Sequence, residues 1–222
     1  LFGDMRPAKL LAIIAACRAA GVTHVIEQGR YGGLSAYMYA LHGFRVTSVE
    51  LLPLTEVTSA LRSLAPSVRQ VDGDGRAAVL QLVAEAPSAE RIAVIFDGEK
   101  RQTAYETYKR IASRVSLGVF DDTNLDDGTF PKLLQDSGED AWHTWDCAYM
   151  ARHSDARPLS TLAETLRSAT QRVLTKSDGL VAEKMKRQGL VDGNGRLVFH
   201  GGMEDLSRFH SSIVRGGAWA GG

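Results

Sequence analysis

An excess of charge of either sign is missing from this chain. Its 26 Lys and Arg residues face 26 Asp and Glu, so the formal net charge is +0. That balance leaves no electrostatic footprint for nucleic acid or for an anionic membrane surface. Long hydrophobic runs are missing too. The apolar stretch Leu10–Ala16 falls far short of the ~20 residues a membrane helix needs, and it sits between Lys9 and Arg18. Cysteine is scarce, with only Cys17 and Cys147 present. Two such residues supply neither a metal-ligand spacing nor a disulfide framework. They read as small packed or half-exposed side chains, with a single bridge between them left open. No internal repeat and no long low-complexity segment occurs. The start at Leu1 and the Gly-Gly end suit a piece of a longer protein, so a leader or anchor outside this stretch stays compatible with it.

What is present is a chain of 222 residues, 44% of them hydrophobic and 23% charged. That length is enough for one α/β domain with a sizeable core. The expectation is a single domain over residues 1–222, with its core at 22–124 and a substrate or cap region at 125–215. A cytoplasmic location and a homodimer are the accompanying expectations.

Apolar runs alternate with helical patterns. Pro7–Ala20 carries Leu10, Leu11, Ile14 and Cys17 at helical spacing, between a Pro that suits a first turn and Gly21 just past the end. This helix reads as packing without chemistry. Strands are expected at Val22–Glu27, Arg45–Glu50, Val68–Val71, Ile92–Phe96 and Leu117–Phe120. Helices are expected from the glycine turn to about Leu41, then at Thr55–Leu64, Arg76–Glu85 and Thr103–Val115. Ile92–Phe96 is apolar without alternation, as a central parallel strand should be. Such an order predicts a doubly wound, mostly parallel sheet with helices on both faces. Farther on, Thr129–Leu134 reads as a helix, Ala141–Tyr149 as a strand and Leu159–Leu174 as an amphipathic helix. Asp192-Gly193-Asn194-Gly195, between Leu190-Val191 and Leu197-Val198-Phe199, predicts a C-terminal antiparallel hairpin. Gly216–Gly222 reads as a loose tail.

The chain is organised around His24-Val25-Ile26-Glu27-Gln28-Gly29-Arg30-Tyr31-Gly32-Gly33-Leu34-Ser35. A strand runs into a glycine-rich turn and then into a helix. Gly29 can take a positive φ, and Gly32 and Gly33 allow close approach. The second strand ends in Glu50, where nucleotide-type folds read a ribose. The turn lacks the G-x-G-x-x-G spacing of a dinucleotide site, and Glu27 would repel a pyrophosphate. An acid there suits a cationic ligand, and S-adenosylmethionine carries an ammonium and a sulfonium. Asp72-Gly73-Asp74-Gly75 follows the third strand and reads either as a plain connector or as a contact beside an adenine.

Ligands of parallel sheets sit at the carboxyl ends of the strands. Glu27, Glu50, Asp97, Asp121 and Asp122 all fall there. Asp97, Asp121 and Asp122 on neighbouring strand tips repel one another and call for a proton or a cation. Oxygen ligands favour magnesium, calcium or manganese. Lys100, three residues after Asp97, could act as a base there. The plain alternative is that Asp97 caps a helix, Asp121-Asp122 form a turn and Lys100 is solvated. Trp142, His143 and Trp145 are candidates for an acceptor pocket, though packing explains them as well. His24 reads as a core or edge residue.

Glu27-Gln28-Gly29-Arg30-Tyr31-Gly32-Gly33-Leu34-Ser35 resembles the first motif of class I S-adenosylmethionine-dependent methyltransferases. Ile95-Phe96-Asp97-Gly98-Glu99-Lys100, Tyr105, Tyr108 and Phe120-Asp121-Asp122-Thr123 resemble the cation-dependent O-methyltransferases of the caffeoyl-CoA and catechol type. Asp74-Gly75-Arg76-Ala77-Ala78-Val79-Leu80 is similar to their third motif. The resemblance covers about Thr23–Asn124. It implies a Rossmann-like class I methyltransferase fold and transfer of a methyl group to a hydroxyl of a small molecule, phenolic, catechol-like or sugar. It implies Glu27, Gly29, Arg30, Tyr31, Gly33, Ser35, Glu50, Asp74 and Asp97 at the cofactor. It further implies Asp97, Asp121 and Asp122 as metal ligands, and Lys100 with Asp97 as the catalytic pair. Two departures stand out: Asp122 replaces the usual Asn, and the chain after Asn124 does not match. A non-catalytic binding or scaffold domain of the same fold is the first alternative, and a nicotinamide-dependent oxidoreductase the second.

Overall fold

The computed structural model describes residues 7–123, 129–143 and 211–218. Its strands are β1 (His24–Gln28), β2 (Arg45–Glu50), β3 (Arg69–Asp72), β4 (Ile92–Phe96), β5 (Leu117–Phe120), β6 (Ala141–His143) and β7 (Ser212–Arg215). Its helices are α1 (Pro7–Ala19), α2 (Leu34–Leu41), α3 (Thr55–Leu64), α4 (Gly75–Glu85), α5 (Arg101–Ile111) and α6 (Thr129–Asp136). The strands form one sheet in the order β3-β2-β1-β4-β5-β7-β6. β1 to β5 are parallel, and β7 runs antiparallel to both β5 and β6. This is a doubly wound, mostly parallel, Rossmann-like sheet with helices on both faces, as expected.

Alternation along each central strand divides the core into two layers. Val25 of β1 and Ile95 of β4 point to the layer packed by α1, α2 and α3. Ile26, Val94 and Phe96 point to the layer packed by α4, α5 and α6. β1 and β4 are buried at every position, as strands covered on both faces must be. The strand order reverses between β1 and β4, which opens the binding crevice of such sheets at their carboxyl ends.

Several elements match the expected bounds, including Arg45–Glu50, Thr55–Leu64, Ile92–Phe96 and Leu117–Phe120. The end of the chain does not. Ser212–Arg215 is β7, inserted between β5 and β6, and residues 216–218 after it are tied down rather than loose. Gly216 donates to the Ser116 carbonyl at 3.0 Å, Gly217 to Ala112 at 2.7 Å and Ala218 to Val115 at 3.2 Å. A Cβ at Gly216 would run into the Val115 carbonyl oxygen, so only glycine fits there. The helix expected at Leu159–Leu174, the hairpin at residues 190–199, Cys147 and Trp145 lie outside the described residues. Cys17 is buried and free.

Candidate active site at the strand tips

The turn after β1 is set by backbone demands. Gly29 has φ 97, and a Cβ there would stand 2.5 Å from the Gly98 nitrogen. The turns after β1 and β4 thus touch backbone to backbone, which only glycine permits. Gln28 welds them together. Its carbonyl accepts from the N–H of Asp97 at 2.8 Å and of Gly98 at 2.7 Å, while its side-chain oxygen accepts from Glu99 N–H at 3.2 Å. Gly33, at φ 73, is the N-cap of α2, and Tyr31 takes a positive φ as well.

Glu50 closes the turn from the tip of β2. One carboxylate oxygen accepts from the N–H groups of Arg30 at 2.9 Å and Tyr31 at 2.8 Å, and the other accepts from Leu52 at 3.0 Å. Arg30 points inward. Its buried guanidinium donates to the Ser48 carbonyl at 3.1 Å and to Asp72 at 2.6 Å. It is therefore a buried brace that ties the turn to β2 and β3. Asp74 accepts from Ala77 N–H at 2.7 Å and is the N-cap of α4.

Glu27 lies beneath the turn, fully buried. Ser48 Oγ donates to its Oε2 at 2.6 Å, while Oε1 has no hydrogen-bond partner. Burial pushes its carboxyl up to about 7, against the opposing influence of the Ser35 and Ser48 hydroxyls and of Arg30. Ser35 opens α2 and is buried beside it.

The second half of the site joins β4, β5, α1 and the approach to β7. Asp97, Asp121 and Asp122 come together, each offering an oxygen within 4.8 Å of the others. Lys100 stands among them, with Nζ 2.6 Å from Asp97 Oδ1, 3.0 Å from Asp122 Oδ2 and 3.7 Å from Asp121 Oδ2. Asp121 is also held from behind. Lys9 Nζ lies 2.6 Å from its Oδ1, with both side chains 2% exposed, and Ser211 Oγ donates to the same oxygen at 2.7 Å. Helix α1 therefore places a buried charge at the cluster in addition to the packing expected of it. Lys9 and Ser211 escaped sequence reading because their shared partner, Asp121, is far from both along the chain.

The charges set one another. Burial and the Asp121 charge raise the Asp97 carboxyl above its ordinary range, although Lys100 pulls it down. Burial would raise Asp121 as well, but Lys9 and Lys100 outweigh it and hold the carboxyl low. Burial works against the Lys100 ammonium, yet Asp97, Asp121 and Asp122 hold it firmly charged. A charged ammonium cannot accept a proton, so Lys100 is no base until it has lost its own. Nor do the residues, as arranged, fit a divalent ion. Ammonium groups already sit against at least one oxygen of each carboxylate, and Lys100 reaches all three. Asp122 has φ 54, a left-handed conformation that Asp tolerates and that turns it toward Lys100.

Trp142 and His143 stand in β6 at the sheet edge, beyond β7. His24 is at the opposite, amino end of β1, buried against Thr47 at 2.9 Å and Arg45 at 2.8 Å. Among the described residues, no helix is long and apolar enough to cross a membrane.

The sequence matches no family model and no curated protein. It does resemble solved methyltransferase structures. The precorrin-6Y C5,15-methyltransferase of Geobacter metallireducens is 14% identical, with 64% of this chain and 78% of that one covered and a TM-score of 0.44. A TDP-rhamnose 3'-O-methyltransferase of calicheamicin biosynthesis is 17% identical, with 55% and 64% covered and a TM-score of 0.44. The 1,6-didemethyltoxoflavin-N1-methyltransferase of Burkholderia thailandensis, with S-adenosylhomocysteine bound, is 18% identical, with 63% and 72% covered and a TM-score of 0.43. Likeness at these values bears on no particular reaction, which has to be argued from the site.

Proposed function

We propose that this domain binds S-adenosylmethionine at the turn after β1 and moves its methyl group to a hydroxyl of a small molecule, phenolic, catechol-like or sugar. One juxtaposition carries the reading: the Gly29 turn lies in backbone contact with Gly98, beside the Asp97–Lys100 pair. A cofactor on the turn would have its reactive end next to a charged acid–base cluster. The acidic surroundings suit a sulfonium and repel a pyrophosphate, and Arg30 is turned inward, away from any phosphate. That counts against a nicotinamide cofactor. Glu50 keeps lone pairs for a ribose hydroxyl while it holds the turn. Gly29, Tyr31, Gly33 and Ser35 shape the bed, and Glu27 and Arg30 support it from below.

In this reading the acceptor hydroxyl docks between Asp97 and Lys100. The Lys100 ammonium stabilises the alkoxide as it forms. Asp97, partly accessible and raised by burial and by the Asp121 charge, takes the proton in its ionised form. The oxygen lone pair forms the new bond to the methyl carbon while the carbon–sulfur bond breaks. That electron pair returns to sulfur and S-adenosylhomocysteine leaves. Holding oxygen, carbon and sulfur in line supplies much of the rate. The magnesium, calcium or manganese ion expected at Asp97, Asp121 and Asp122 has one observation in its favour, their spacing within 4.8 Å. The ammonium groups on the same oxygens count against it, and no step here runs through an ion.

The test is calorimetry with S-adenosylhomocysteine, followed by transfer assays on catechols, hydroxycinnamoyl esters and sugars. Binding in the micromolar range and transfer to one hydroxyl class are expected. Binding of NAD with none of S-adenosylhomocysteine would overturn the cofactor. Binding without transfer to any acceptor would leave a silent binding domain.

A further inference from the structure

Lys9 is a buried cation that the methyl-transfer scheme does not use. An ammonium removed from water is tolerated only when a charge partner and hydrogen bonds replace its hydration. Here the partner is Asp121 Oδ1 at 2.6 Å, and both side chains are 2% exposed. The ammonium is not carried by a loop. It projects from α1, which Leu10, Ile13 and Ile14 anchor in the core, so its position is fixed by packing. Ser211 Oγ donates to the same oxygen at 2.7 Å, which leaves Asp121 Oδ1 with two donors. On the open side, Lys100 lies within 3.7 Å of all three carboxylates.

We infer that Lys9 is a built-in counter-ion which, together with Lys100, takes the place a divalent cation would otherwise hold among Asp97, Asp121 and Asp122. The inference rests on the methyl-transfer reading of this cluster. A divalent ion needs several free oxygen ligands in a defined shell. It would have to displace one ammonium and then sit beside the other, losing on both ligand count and charge. Three carboxylates against two lysines lie within one charge of neutrality, which leaves little electrostatic attraction for a divalent ion. Lys9 also does this from a rigid helix, at no cost of ordering when the acceptor arrives.

The experiment is a manganese titration of the chelator-treated full chain, followed by the electron paramagnetic resonance of the free ion, with S-adenosylhomocysteine calorimetry in parallel. Wild type should leave the free-ion signal undiminished at submillimolar manganese. Lys9→Met should bind manganese at least about tenfold more tightly, because the cluster loses a positive charge, and Lys9→Arg should behave as wild type. Stoichiometric submillimolar binding by wild type, abolished in Asp121→Asn, would overturn the inference. So would a folded Lys9→Met that binds no more tightly. If Lys9→Met does not fold, the wild-type titration decides alone. Failure of the methyl-transfer reading looks different: calorimetry would show no S-adenosylhomocysteine binding, whatever the manganese signal does.

Discussion

Glu27→Gln is the substitution whose outcome follows most directly from burial. The Glu27 carboxyl is fully removed from water, and its pKa rises from 4.5 to about 7. The folded protein therefore holds this proton longer than the unfolded chain does. Below about pH 4.5 both states are protonated, and the group imposes no penalty. Between 4.5 and 7 the unfolded chain releases its proton first, and stability falls as pH rises. Above 7 the whole deficit is present. At 1.36 kcal/mol per unit, a shift of this size is worth about 3 kcal/mol. Glutamine cannot ionise, and its carbonyl oxygen can still accept from Ser48 Oγ. Its amide would put an N–H₂ where Oε1 has no partner, which costs about 1–3 kcal/mol at every pH. The absolute stability of the variant is thus less informative than its slope. Urea denaturation of both proteins at several pH values between 4.5 and 8.5 should show the variant gaining about 3 kcal/mol on wild type across that range. A difference that stays flat with pH would refute the argument, because no other ionisable group differs between the two chains.

Four further outcomes follow. Gly29→Ala forces a Cβ to within 2.5 Å of the Gly98 nitrogen at a positive φ, and should lose about 2–4 kcal/mol in urea denaturation. Asp97→Asn should lower kcat by about a hundred- to ten-thousand-fold while S-adenosylhomocysteine still binds, as calorimetry would show; unchanged turnover would remove Asp97 as the proton acceptor. Glu50→Ala should speed hydrogen exchange at the Arg30 and Tyr31 amides and weaken S-adenosylhomocysteine binding by about 1–3 kcal/mol. Burial, aided by Arg45 and Arg69, lowers His24 from 6.5 to about 4. The folded state therefore holds fewer protons there, and stability should drop as pH falls from 6.5 towards 4. Replacing His24 with Gln should flatten that acid limb of the stability curve.

The sequence by itself determined the periodic elements and the places where ligands gather. Ile92–Phe96 could only be a central strand, because an unbroken apolar run needs cover on both faces. The acids after β2, β4 and β5 could be placed at the site, because each lies next to the end of a strand whose direction the alternating pattern had set. Glycine at position 29 announced a turn, though not its partner; the contact with Gly98 depends on the spacing of two strands far apart in the chain. Tertiary structure alone decided who neutralises whom. Whether Arg30 faces a ligand or braces β2 depends on which way the turn winds. Asp74 turned out to cap a helix because α4 begins one residue later. β7 carries no periodic signal in its four residues and enters the sheet from a distant part of the chain, so its pairing was invisible locally. Lys9 is the sharpest case. Its neighbours in sequence mark an ordinary packing helix, and only when α1 is laid against the sheet does its ammonium reach Asp121. Local pattern reports propensity and periodicity, which act over a few residues, whereas charge pairing acts through space, and only the fold brings the partners together.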